Sequence, residues 1–341
     1  MDVWEPYAPE WAVADFKKII KQKYNKEIKV VVKYVYSPND FFDRVRGNET
    51  DIISPSHNLI HDDRFSFIQK KLVIPVNKEL LPHLKEVEDS FINNDFIVDK
   101  NLLYGVPFAS GAYSLLYKKA HFKTAPDSWK ILWDSRYRQQ FAISKEFYES
   151  NIYITALSLG IPKDKIADVE SLKSEAFSKR LKQLLKNATY WQGVPHDKEV
   201  EKSVLTTAWG FSHSVHDDPK KEWVFAFPKE GITMWTDYLL VTRAVKRSAF
   251  AETLAMEWLN FSLSPEFQRR LVIDQLKCYS AVPRAYVAEG YKPLTIAPKE
   301  KEFLFKNAIY WPTLSARNRN GMKLIYDRVE KEIQKEKAAR K

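Results

Sequence analysis

The first fifty residues alternate between two apolar spacings. After Pro9, the residues Phe16, Ile19, Ile20 and Tyr24 recur at three and four positions, which predicts a helix ended by Asn25. The run from 28 to 35 is rich in β-branched residues and predicts a strand. Ser37-Pro38-Asn39-Asp40 opens a second helix through Phe41, Phe42 and Val45 to Gly47, and Asp51-Ile52-Ile53-Ser54-Pro55-Ser56 predicts a short buried strand that runs into a polar turn. Strands alternating with helices imply an α/β fold with parallel pairing, in which ligands meet the loops at the strand ends.

The same pattern continues beyond an uninformative stretch from 65 to 100. Leu103 to Tyr117 is a second buried block with small residues at its centre, where backbone can pass close to another element. Ala125 to Tyr137 predicts a capped helix whose Trp129 and Trp133 belong to a core. Phe141 to Ser144 predicts a strand, and Lys145 to Ser150 the entry to an apolar helix ending at Gly160. Within that entry, Glu146 and Glu149 are three apart and would share one face of a first helical turn, where they could bind an amine or simply offset the helix dipole. Residues 164 to 203 read as charged helix and Thr207 to Ser212 as a strand end carrying Trp209. Residues 246 to 277 read as helix broken at Ser264-Pro265, residues 300 to 311 as helix, and 321 to 341 as an amphipathic helix with a basic end.

One stretch concentrates the candidate chemistry. From Phe227 to Val241, a Pro and a Gly frame a turn, after which Trp235 and Asp237 stand two apart in an apolar run. In a strand this spacing puts an indole and a carboxylate on one face, an arrangement suited to an organic cation. The same pair also suits a buried Trp beside a turn carboxylate, and the pattern alone leaves both open.

Composition narrows the classes. At 341 residues, two lobes are expected. The 9 glycines are few against the roughly 24 expected at this length, and none forms Gly-x-Gly, which excludes the dinucleotide fingerprint and the Walker A loop. Cys278 is the single cysteine, so no intramolecular disulfide forms. No apolar run reaches the ~20 residues of a membrane span. The first residues show neither a basic nor an apolar signal region, which fits a cytoplasmic protein or one whose signal peptide has been removed. The net charge of +10 is spread among interleaved acids, a pattern of solvated helix faces rather than of nucleic-acid binding.

No nucleophile with a base and an orienter is recognisable. His57 and His61, followed by Asp62-Asp63, and His213 and His216, followed by Asp217-Asp218, have spacings compatible with metal ligation but match no metal motif. What stands out is aromatic residues beside carboxylates at strand ends and loops: Trp4, Tyr7, Trp209, Trp235 and Tyr279 with Glu146, Glu149 and Asp237. Aromatic faces sandwich methylene chains and attract alkylammonium groups, whose N–H donors carboxylates accept.

The chain resembles the spermidine/putrescine-binding branch of the periplasmic solute-binding proteins that serve ABC importers. The resemblance runs through Trp4-x-x-Tyr7-x-Pro9, Asp51-Ile52-Ile53-x-Pro55-Ser56, Tyr104-Gly105-Val106-Pro107-Phe108, Ser128-Trp129-x-x-Leu132-Trp133-x-x-x-Tyr137, Pro228-Lys229-Glu230-Gly231-x-x-x-Trp235-x-Asp237 and Leu263-Ser264-Pro265-Glu266. It implies a type II periplasmic binding protein-like fold of two α/β lobes, each a central β-sheet flanked by helices, with ligand in the interlobe cleft. The implied lobes are 1–110 plus 237–285 and 111–236 plus 286–341. It further implies that Asp237 binds an ammonium group, that Trp235 and Trp209 stack on the methylene chain, and that Trp4 and Tyr7 close the slot. Ser56 would offer a hydroxyl, Tyr279 would contact an amine, and Glu146 and Glu149 match the family's acidic pair by spacing as ligand contacts.

On this resemblance the protein is a periplasmic monomer without cofactor, metal or catalytic residues. It would capture a polyamine by hinge closure and deliver it to an ABC importer permease. The alternatives are a sensor that docks on a membrane signalling receptor, a binder of a quaternary ammonium such as choline or betaine, and a metalloprotein or enzyme using the His clusters. The sequence departs from the family pattern at Asn58, where an aromatic residue is frequent, and at Trp311-Pro312, where a Trp-Gln pair is usual. A one-residue slip would put Ser150 in place of Glu149.

Overall fold

The computed structural model describes residues 1–192, 197–210, 223–291 and 307–339. His213, His216, Asp217 and Asp218, the end of the strand expected through Ser212, and residues 300–306 of the expected helix lie outside the described residues. The chain divides into two compact units, Met1–Ser110 with Trp235–Thr295, and Gly111–Met234 with Ile296–Lys341. Two long strands, Gly105–Lys118 and Ile232–Val241, each carry the chain from one unit to the other.

In the first unit, strand Asp2–Trp4 pairs in parallel with Lys33–Val35 on one side and, at Asp2, with Ile53 on the other. Ile52 and Ile53 then pair antiparallel with Val241 and Leu240. Helix Glu10–Tyr24 buries Ala12, Phe16 and Ile20, with the Phe16 ring against Trp258 and Phe261, and ends where Asn25 adopts φ 52°, a left-handed conformation that asparagine tolerates. Helix Pro38–Arg46 starts on a reciprocal cap between Ser37 and Asp40 and buries Phe41 and Val45. The strand expected over 28–35 is ordered as strand only at Lys33–Val35, because its partner Asp2–Trp4 has three residues and offers no further ladder. Helix Ala249–Ser262 buries Ala255, Trp258 and Leu259, and the break at Ser264-Pro265 is a new helix start, with the Ser264 hydroxyl accepting the Phe267 N–H.

In the second unit, the Gly111–Lys118 portion of the first crossing strand lies antiparallel to Leu205–Trp209 and to Trp223–Phe225. Leu205 and Thr206 pair in parallel with Phe141 and Ala142, and Phe141–Ser144 with Thr189–Trp191. Helices Tyr148–Ser158, Glu175–Asn187 and Ala316–Ala338 pack together beside this sheet. Trp129 and Trp133 are core, as their spacing suggests, but sit on a 3-10 turn rather than in an α-helix.

Two of the stretches quoted for the family resemblance are bound to each other here. Glu230 accepts the Ser128 hydroxyl and the Trp129 backbone N–H, and the Trp129 indole donates to the Gly231 carbonyl at 2.8 Å. Gly231 has φ 100°, and a Cβ there would stand 2.8 Å from the Asn307 carbonyl, so the turn before the second crossing strand requires glycine. The helix expected over 300–311 is corrected in its described part: Ala308–Tyr310 is a strand, parallel to Ile232–Met234. The backbone ladder offered by that strand overrides a local helical pattern.

Candidate functional site

Asp237 is the focus of the first unit's candidate site. It lies on strand Ile232–Val241, which is buried along its whole length, and is itself 4% exposed. The polar turn after Ile53 runs beside that strand: the Tyr238 N–H donates to the Pro55 carbonyl at 3.1 Å, and Ser56 forms an antiparallel bridge with Asp237. The Ser56 hydroxyl therefore reaches Asp237 Oδ1 and donates to it. From the other end of the sequence, Tyr7 donates its hydroxyl to Asp237 Oδ2 at 2.6 Å and stacks its ring on Phe108, with centroids 4.2 Å apart.

Burial sets the electrostatics. Loss of hydration pushes the Asp237 carboxyl up to about 7, even though the Ser56 and Tyr7 hydroxyls pull in the opposite direction. Burial and the neighbouring carboxylate push the Tyr7 hydroxyl well above its ordinary range and raise the Cys278 thiol. Each carboxylate oxygen holds one neutral hydroxyl, and each retains a lone pair able to accept an N–H donor.

The other predicted residues of this unit occupy distinct positions. Trp4 is half-buried, its N–H donates to the Ser54 hydroxyl at 2.9 Å, its carbonyl accepts the Tyr7 N–H, and its ring meets Phe41 edge-on. Trp235 is 6% exposed, its carbonyl accepts the Ser110 hydroxyl, and its indole N–H has no hydrogen-bond partner among the described residues. Tyr279 is joined to Ser110 by two backbone hydrogen bonds, but its hydroxyl donates to Glu88 at 2.5 Å rather than to Asp237.

Sequence reasoning missed His57 and Glu88 as supports of this region. His57 is fully buried and its Nδ1 accepts the Thr236 N–H at 3.2 Å, tying the turn after Ser56 to the strand between Trp235 and Asp237. Glu88 stands 191 residues from the tyrosine it binds, and no local pattern signals that pairing. His61 donates to the Phe96 carbonyl and accepts from Gln69, while Asp62 is held by Arg64. No group of three or more His, Cys, Asp or Glu side chains arranged for a metal ion occurs among the described residues.

In the second unit, Trp209 ends strand Leu205–Trp209 and is the hub of an aromatic cluster. Tyr113 and Phe147 lie 4.9 Å away, and Trp191 and Trp311 lie 5.8 Å away, between ring centroids. Trp311, the aromatic member of the Trp-Pro departure, is thus part of this cluster. The shared helical face expected for Glu146 and Glu149 is corrected. The helix begins at Tyr148 after an N-cap at Phe147, so Glu149 lies in its first turn, half-buried, while Glu146 is an exposed loop residue. Phe147, the N-cap residue, has non-helical backbone angles and its ring meets Trp209 edge-on, so the helix starts later than the apolar pattern suggests.

Both compact units are α/β, and the buried carboxylate of Asp237 lies on one of the two strands that pass between them. Residues 49–301 match the bacterial extracellular solute-binding proteins, and the chain belongs to that family. A curated relative, the spermidine/putrescine-binding periplasmic protein 1 of Haemophilus influenzae, is 22% identical over 276 residues, covering 79% of this chain and 71% of that protein. Among solved structures, a candidate spermidine/putrescine ABC transporter from Listeria monocytogenes superposes with a TM-score of 0.74 at 17% identity, covering 96% of this chain and 97% of that one. The spermidine/putrescine ABC transporter substrate-binding protein PotD of Streptococcus pneumoniae gives 0.70 at 15% identity, over 97% and 98% of the two chains. These likenesses establish a periplasmic binding protein-like fold. Among the described residues, no helix is long and apolar enough to cross a membrane.

Proposed function

We propose that this protein is a periplasmic receptor that captures a polyamine and hands it, as a monomer and without catalysis, to the permease of an ABC importer. The observation that carries the reading is the Asp237 carboxylate, buried with two neutral hydroxyl partners that leave acceptor capacity on both oxygens. A primary ammonium supplies both the opposite charge and the N–H donors that such a carboxylate lacks. The net charge of +10 supports a local origin for cation affinity, since the long-range field of the protein repels cations.

Tyr7 and Ser56 orient the carboxylate in this reading, with Trp4, Trp235 and Tyr279 as further contacts in the first unit. Trp209, Glu146 and Glu149 are the proposed contacts in the second. The spermidine/putrescine description of the Haemophilus relative supports the ligand class. Capture by closure of the lobes predicted from sequence, 1–110 plus 237–285 and 111–236 plus 286–341, is part of the proposal. An unchanged radius of gyration in solution scattering on adding ligand would remove that step.

Calorimetry against putrescine, cadaverine, spermidine, norspermidine, spermine and choline tests the ligand class, with Asp237→Asn measured alongside. The expected result is saturable binding of at least one linear amine and its loss in the variant. Binding of choline in preference to every primary amine would overturn the reading, because a quaternary ammonium offers Asp237 no N–H donor.

A further inference from the structure

Charges that alternate along the C-terminal sequence are sorted by the fold into two faces of helix Ala316–Ala338. Met322, Tyr326, Val329 and Ile333 form its buried stripe. Beside that stripe, Glu332 and Glu336 both pair with Lys182 at 2.8 Å, and Glu336 also pairs with Lys186 at 2.7 Å, which ties these two acids to helix Glu175–Asn187.

The opposite face keeps the cations. Leu324, Arg328, Lys331 and Lys335 recur at four, three and four residues, so they form one outward stripe. All four are exposed, Leu324 to 61%. Arg328, Lys331 and Lys335 span about 10 Å of helix axis. Among the described residues they form no ion pair, whereas Arg317 is bound to Glu170 and Lys323 to Asp327 at the margins. Glu330 is the remaining acid flanking the stripe.

We propose that this face rests on an anionic phospholipid surface, Arg328, Lys331 and Lys335 meeting headgroup phosphates while Leu324 enters the interface between them. The match is one of charge and shape: a row of unneutralised cations around a single exposed apolar side chain, on a helix whose other side is fastened to the protein. Such contact is weak and salt-sensitive. It involves none of the proposed ligand contacts and stands or falls independently of polyamine binding.

The test is cosedimentation with vesicles of phosphatidylcholine plus phosphatidylglycerol, against phosphatidylcholine alone, at low and high salt. Arg328→Glu, Lys331→Glu and Lys335→Glu are combined in one variant. Lys17→Glu, Lys29→Glu and Lys33→Glu, all exposed positions of the first unit, are combined in a control with the same change of net charge. The expected result is binding of the wild type to the anionic vesicles only, reduced at least about tenfold in the first variant and by high salt, and near wild type in the control. A neutral Arg328→Gln, Lys331→Gln, Lys335→Gln variant, better able to keep the helix, should show the same direction. Equal loss in both charge-reversed variants would reduce the effect to net charge and overturn the proposal. So would absence of wild-type binding to the anionic vesicles, or binding to soluble polyglutamate in its place.

Discussion

Tyr7 and Asp237 are 230 residues apart in the chain and joined by a 2.6 Å hydrogen bond in the buried part of the first unit. That bond ties the N-terminal segment to the strand that arrives from the second unit. It places a phenol against a carboxylate whose proton affinity burial has raised. The chemistry of the candidate site follows from this contact and from the Ser56 hydroxyl opposite it.

Replacing Asp237 by Asn keeps the shape and removes the charge. Organic-cation affinity should fall by about 2 to 5 kcal/mol, the cost of losing one partner of a buried charged pair. Calorimetry reads this directly, and undiminished affinity would show that the cation is held elsewhere.

Protonation of Asp237 should compete with cation binding. With the free carboxyl at about 7, affinity should be flat above neutral pH and fall toward tenfold per unit below it, until the lower proton affinity of the bound form is reached. A titration from pH 5 to 9 tests the slope, and Asp237→Asn should abolish it.

The same group should leave a mark on stability in the absence of ligand. A carboxyl raised above its unfolded value near 4 contributes stability that is fully present below that value and is lost as pH rises through about 7. The loss is on the order of 4 kcal/mol from this group. Thermal unfolding between pH 4.5 and 8 should therefore slope downward more steeply in the wild type than in Asp237→Asn.

Tyr7→Phe removes one donor to Asp237 while preserving the stacking on Phe108. Its expected effect is a further rise in the carboxyl's proton affinity and an affinity loss of about 1.5 to 3 kcal/mol for a cation at neutral pH. Because the deficit comes from stronger proton competition at Asp237, it should be largest below pH 7 and shrink at high pH. A uniform loss at every pH would point instead to altered packing.

Gly231→Ala probes the turn that precedes the second crossing strand. A methyl group at φ 100° and 2.8 Å from the Asn307 carbonyl should destabilise the second unit by about 1 to 3 kcal/mol. Denaturant unfolding measures it, and unchanged stability would show that the turn relaxes.

Much of the fold was readable from local pattern. The start at Pro9, the stop at Asn25, the Ser37–Asp40 cap and the break at Ser264-Pro265 all depend on backbone hydrogen-bonding needs that a few adjacent residues satisfy. The extent of a strand is different, because a strand exists only as far as a neighbour pairs with it. The run at 28–35 is therefore trimmed to Lys33–Val35, and the helical pattern before residue 311 gives way to a strand at Ala308–Tyr310.

The candidate site divides along the same line. The residue types by themselves determined that an aromatic and a carboxylate stand two apart in an apolar run at Trp235 and Asp237, and the motif order pointed to the family; strand Ile232–Val241 is what puts the pair on one face. Tertiary structure alone decided which partners Asp237 has, that Tyr279 turns its hydroxyl to Glu88, and that Glu146 and Glu149 occupy a loop and a helix start. It also decided which charges of the C-terminal helix are paired with helix Glu175–Asn187. Spacing along the chain sets the side of an element on which a group lies, but partners come from elements tens or hundreds of residues away. Burial, which raises the proton affinity of Asp237, exists only once those elements have packed.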